Sequence, residues 1–350
     1  MGLMDRTETD NSHVRPDGRV FRVNIAIGAV VVLGWLVFGG EKALESIQNY
    51  WSISVTMIFG SLIGGGTSEG GGAVAFPMFT KVLQLPADDA RLFTYAIQSV
   101  GMTAASICIL YMKVPIERRV LLLGGPAGVA GVILSATLLA PSMDPRMIRI
   151  YFTVLMTGLA LALLVLHVRK VNDRNRELVV FGKREIAIIL FAGLFGGIIS
   201  GLVGVGENTA LFIMMVLLFR ISEKVATPTT VIVMTIVSVA AFLTHLFVLR
   251  DFTEPVVGYW LAAVPIVVFG APLGAVICSK MSRKSIRLLL IFLIAVEFVS
   301  TLLFIPISNT TMFIAGTLLL LLTVVFYRMT RSRRYSPENE RTVAVVRGSR

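Results

Sequence analysis

Two stretches of this 350-residue chain place small, flexible and carboxylate residues inside apolar sequence. The first is GGGTSEGGGAVAFP, Gly64 to Pro77, and the second is SGLVGVGEN, Ser200 to Asn208. Glycine admits positive φ and lets a ligand approach bare backbone. A helix that restarts after such a break turns unpaired N–H groups and a positive dipole end toward the same point, which is the chemistry of anion binding. The candidates are Thr67, Ser68, Gly70, Gly71 and Gly72 at the first break and Gly206, Asn208 and Thr209 at the second. The helices that follow add Thr94 and Gln98, four apart on one face, and Thr230, with Thr229 and Ser238 nearby. For these hydroxyls, ordinary interhelical hydrogen bonding is the competing reading. Glu69 and Glu207 sit at the breaks themselves. A carboxylate taken out of water is costly unless neutralised, so either can carry a proton with or against an anion. Capping the restarted helix explains them equally well. Glu297, outside both breaks, reads as a packing partner, His245 as interfacial, His167 as part of a basic loop and His13 as part of a polar tail.

Elements that hold such residues must cross a membrane. The chain is 55% hydrophobic and 15% charged, with a mean hydropathy of +0.82, far from soluble composition. Its net charge of +11 does not point to nucleic acid, because the 32 Lys and Arg fall in short stretches between apolar runs. Cys108 and Cys278 lie singly in apolar runs and read as packing residues, with no metal or cofactor site implied. The run from Asn24 to Gly40 has no A-x-A-like site after it and reads as a retained first helix. Hydrolase, metalloprotease and Walker signatures are missing, which favours a gradient-driven carrier over an enzyme or a primary pump.

Runs of about 20 apolar residues span a bilayer, and eight qualify: 22–40, 90–112, 119–140, 147–168, 226–249, 256–278, 286–305 and 310–327. Regions 51–85 and 185–220 are too long for one span, and each is expected to form two half-length helices around its glycine break. If both are hairpins that return to the side they entered, segments 1–22, 113–119, 169–184, 220–224, 279–287 and 328–350 share the cytoplasmic side and hold 26 of the 32 basic residues. An offset of 136 aligns 59–105 with 195–241 at 11 of 47 positions, among them Gly65/Gly201, Gly70/Gly206 and Thr94/Thr230. The expected fold is an all-α polytopic membrane protein with two inverted repeats, about 51–168 and 185–305. Each repeat opens with a glycine-broken hairpin, and extra helices lie at both ends. Residues 1–21 and 329–350 are expected cytoplasmic tails flanking one transporter domain, 22–328, in the inner membrane.

The doubled motif, with Ala90/Thr94 and Ala226/Thr230 opening the following helices, resembles the sulfite exporter TauE/SafE family of membrane permeases over roughly 50–305. The stretch from Gly64 to Ser106 carries most of the likeness. The resemblance implies transport of a small anion such as sulfite or a sulfonate. Glu207 and Asn208 stand where the family often has glycine, and Ile213 where the first half has Pro77, which leaves the substrate open. Two other readings remain: a cation carrier using Glu69, Glu207 and exposed carbonyls, and a receptor or assembly protein with structural hairpins. Oligomeric state is not legible.

Overall fold

A computed structural model describes residues 18–67, 78–79, 83–169, 174–331 and 334–335. Its helices are α1 (Gly18–Asn49), α2 (Trp51–Gly66), α3 (Ala87–Tyr111), α4 (Arg118–Leu134), α5 (Pro145–Val168), α6 (Lys183–Val203), α7 (Glu207–Ile213), α8 (Glu223–Leu243), α9 (Val256–Lys280), α10 (Arg283–Phe304) and α11 (Asn309–Thr330). π-helical turns extend α4 through Leu139, α7 through Leu218 and α8 through Leu249. Among the described residues no strand forms, and nine helices are long and apolar enough to cross a membrane. α1 and α11 lie on the periphery, against α9 and α5, and expose Phe38, Val37, Phe313 and Leu320. Apolar side chains standing outward in such numbers are the surface a bilayer covers.

Two details differ from the sequence reading. The first helix runs well past residue 40, breaking at Gly40 (φ 53°) and continuing to Asn49. The first arm of the second broken region is no half helix: α6 has 21 residues, about 31 Å of rise, against 12 for Glu207–Leu218. Its apolar pattern is unbroken to Val203, so the break falls late in the region.

Glycine decides the tightest packing. α2 lies parallel to α9, with Ser54 donating to the Ala262 carbonyl (2.8 Å) near their starts and Gly66 against Gly274 near their ends. α4 lies parallel to α6 in the same way, through Gly124 and Gly193, Gly128 and Gly197, and Ser135 and Gly201. A Cβ on Gly65 would stand 1.8 Å from the Ala271 carbonyl oxygen, and one on Gly201 2.5 Å from the Ser135 Cβ. These two contacts are related by the 136-residue offset at both partners. Backbones this close replace lipid contacts by dense van der Waals packing, which is what joins helices in a membrane.

At one end of the bundle, distant segments are tied together by polar contacts. Asn175 N–H donates to the Arg220 carbonyl and Ser222 N–H to the Asn175 carbonyl, both 2.9 Å, and the Asn175 amide donates to the carbonyls of Phe219 and Tyr335. Glu117 accepts from Leu178 N–H (2.7 Å), while its own N–H donates to Thr229 (2.9 Å). Arg287 donates twice to buried Glu223, and Arg220 donates to the Thr330 carbonyl. Described residues of five segments that charge groups together in the sequence, 113–119, 169–184, 220–224, 279–287 and 328–350, therefore meet at one end. The second broken region leaves it at Lys183 and is back at Ile221. Arg174 donates to the Val216 carbonyl (2.6 Å), satisfying a carbonyl at the end of the returning arm. Burial pushes its guanidinium down to about 10, with Glu223 opposing.

Tyr335 is part of this tie. Its hydroxyl donates to Glu185 (2.8 Å) and its ring meets Phe219 edge-on at 4.9 Å. Burial, and then the bond to Glu185, pushes the phenol up to about 12. The neutral phenol is the form the fold favours. Its contribution is complete below the ordinary value of about 10 and is lost as pH rises from there toward 12. Tyr335→Phe is expected to lower stability by about 2 kcal/mol at neutral pH and to flatten the alkaline fall of the thermal midpoint. Parallel alkaline profiles for the two proteins would refute this.

Candidate functional site

The second break is built by two glycines in positive φ, Gly204 (94°) and Gly206 (144°), a backbone path that side chains resist. Gly204 packs on Thr94 and on the Arg91 stem, bringing the tip of the hairpin against the start of α3. Beyond it α7 opens with Glu207, Asn208 and Thr209, all 1% exposed or less. The Glu207 carboxylate lies beside Ser200 and the backbone N–H groups of Gly206 and Glu207, but among the described residues neither of its oxygens has a hydrogen bond of good geometry. Asn208 donates to the Met234 sulfur of α8 (3.6 Å).

Further buried polar groups lie on the helices that follow the breaks. Gln98, one turn beyond Thr94 on α3, is 2% exposed, and neither its amide oxygen nor its amide nitrogen makes a hydrogen bond among the described residues. Thr227 Oγ1 is in the same condition. Thr94 and Thr230 are buried, but their hydroxyls donate within their own helices, to the carbonyls of Ala90 (2.7 Å) and Thr227 (3.0 Å). Back-bonding of this kind is the ordinary habit of helical threonine, so the donor best placed for a ligand is Gln98. Thr67, at the end of α2, is 1% exposed at the other tip, where neighbouring Gly66 packs on Gly274 and Cys278. Ser68, Glu69, Gly70, Gly71 and Gly72 lie outside the described residues.

Residues 53–301 match the family described as Sulfite exporter TauE/SafE, a span that contains both breaks and all of these side chains. The chain belongs to the TauE/SafE family. TauE/SafE proteins are membrane permeases, and this one is a multi-pass membrane protein. No curated protein and no solved structure matches it.

Several residues of this TauE/SafE chain escape sequence reading. Tyr95 is buried with its hydroxyl 2.5 Å from the Ser200 carbonyl, to which it donates, and Glu207 faces it. His245, near the end of α8, is 2% exposed and stacked on Tyr95 with centroids 5.5 Å apart, a packing role that its sequence position does not announce. One signal was available, since Arg91, Thr94, Tyr95 and Gln98 fall at i, i+3, i+4 and i+7 and make one polar stripe on an apolar helix. Glu297 is a packing group, accepting from Thr301 (3.2 Å) and facing Arg149. Cys108 and Cys278 are buried, unbridged thiols. Among the described residues no cluster of three or more His, Cys, Asp or Glu forms a metal site.

Proposed function

We propose that this permease is a secondary carrier of a small oxyanion, sulfite or a sulfonate, working by alternating access across the cytoplasmic membrane, with both termini cytoplasmic and Glu207 as a proton site. The observation that carries this reading is a pair of buried polar side chains, Glu207 at the second tip and Gln98 one turn along α3 from Thr94, whose polar atoms make no well-formed hydrogen bond among the described residues. Unmatched polar groups inside a bilayer cost several kcal/mol each and persist where a ligand or water completes them. Gln98 supplies an N–H donor for an oxyanion, and protonated Glu207 supplies an O–H donor. A carboxylate and an anion in one dry cavity repel, so a proton on Glu207 accompanies the bound anion. The exchanged pairs α2 with α9 and α4 with α6 support the inverted-repeat reading, and the polar tie at one end supports the charge-derived topology. Glu69 is the matching candidate at the first tip.

Purified protein in liposomes, offered sulfite, sulfonates, carboxylates and divalent metals in turn, tests this. Saturable flux of one or more oxyanions is expected, together with at least a tenfold loss in Gln98→Ala at low substrate, about 1.4 kcal/mol for one donor to a charged group. Flux of metals alone, or no flux of any anion, would overturn the reading.

A further inference from the structure

His245 sits in the π-helical turn Thr244–Leu249 that ends α8, a distortion that re-aims side chains and recurs at functional positions. Its Nδ1 lies 2.9 and 3.0 Å from the two carboxylate oxygens of Asp251, whose side chain is 44% exposed. Its Nε2 is buried and has no hydrogen bond among the described residues. Arg91 approaches from α3. Its stem lies on Gly204, its Nη2 meets Asp88 at 3.1 Å, and its buried Nε–H has no acceptor. The charged and titratable groups facing His245 are thus Asp251 from the following loop and Arg91 and Tyr95 from α3, with Glu207 beyond Tyr95 and Asp88 beyond Arg91.

A carboxylate only accepts, so Asp251 keeps a proton on Nδ1 in either charge state of the ring. In the neutral ring Nε2 is then a bare lone pair, which repels an anion. One proton on Nε2 converts it to an N–H donor turned into the protein, on the side chain whose charge Arg91 feels. We propose that Arg91 and His245 form a proton-gated oxyanion site at the approach to the second hairpin tip, closed to anions while His245 is neutral and open when it is charged. Nδ1 is already occupied by its proton and Asp251, so the second proton reaches Nε2 from the side on which the anion enters, and an oxyanion with two free oxygens takes both donors. Tyr95 and then Gln98 continue along the same face of α3, Gln98 about 10 Å from Arg91, so the site leads toward the buried polar groups described above. At the position of the second repeat equivalent to Arg91 stands Thr227, which is neutral, so this approach has no counterpart there. The inference rests on the permease reading for the identity of the ligand class.

The test is binding of methanesulfonate, whose charge is constant from pH 5.5 to 8.5, to the full-length protein in detergent by titration calorimetry. Affinity is expected to rise as pH falls, by up to tenfold per unit while the imidazole titrates. In His245→Asn the slope should shrink, and Arg91→Gln should bind at least tenfold more weakly at every pH. An unchanged slope in His245→Asn, or wild-type affinity in Arg91→Gln, overturns this site and leaves the permease reading standing. No binding by the wild type at any pH overturns the reading of this permease as a sulfonate carrier, and this site with it. Histidine-selective 15N spectra of the wild type need no variant to fold, because the chain has only three histidines. Neutral His245 is expected as the Nδ1–H tautomer, gaining its second proton when methanesulfonate is added. An Nε2–H tautomer would also overturn the proposal.

Discussion

Glu207→Gln is expected to abolish accumulation of anion driven by a pH gradient while leaving downhill exchange within about threefold of wild type. With one proton moving per anion, a gradient of one pH unit supports a tenfold difference in accumulation, equivalent to about 1.4 kcal/mol. Glutamine keeps the shape of the protonated acid, and keeps an N–H donor where the acid has O–H, but it cannot release a proton. The buried carboxylate, with no hydrogen bond of good geometry among the described residues for either oxygen, is the group for which this swap changes least in packing and most in chemistry. Vesicles of the variant that still concentrate anion tenfold per pH unit would remove Glu207 from the coupling step. Uncoupling seen instead in Glu69→Gln alone would move the role to the first tip.

Gly65→Val is expected to prevent stable assembly, with a loss of at least about 4 kcal/mol. The clash involves backbone on both sides: the first added carbon would lie 1.8 Å from the Ala271 carbonyl oxygen and 2.8 Å from its Cα. No rotamer relieves that, so α2 must separate from α9 and lose the contacts along both helices. Gly316→Val is the control, because nothing lies within 4 Å of a Cβ there. Thermal midpoints and size-exclusion profiles in one detergent should separate the two by a wide margin. Equal midpoints would mean that the close approach of α2 and α9 is not what holds the first hairpin.

Much of this architecture is written in the chain at the level of composition and glycine placement. The breaks are visible because Gly204 and Gly206 interrupt apolar sequence where positive φ is needed, and the hairpin geometry follows from where Lys and Arg are tolerated. The length of α6 was not legible, because hydropathy alone does not say where in a long apolar region the backbone turns. In sequence the Thr94 and Thr230 hydroxyls read as ligand donors or as interhelical bonds, whereas each bonds to its own helix. The grouping of Arg91, Tyr95 and His245 depends on the contact between α3 and the π-helical end of α8. Residues 150 positions apart leave no periodic trace of such a contact, and a π-helical turn has no distinct pattern of its own.

The crossed pairing of helices bears on how this chain can be divided. Each broken arm finds its tight glycine partner in the opposite half: α2 on α9, and α6 on α4. A cut in the basic loop between α5 and α6 would leave two fragments, neither holding the surface on which its own hairpin is seated. The fragments should be poorly folded apart and recover only when made together, so the cooperative unit of this protein is the interlocked pair, although its sequence reads as two successive copies.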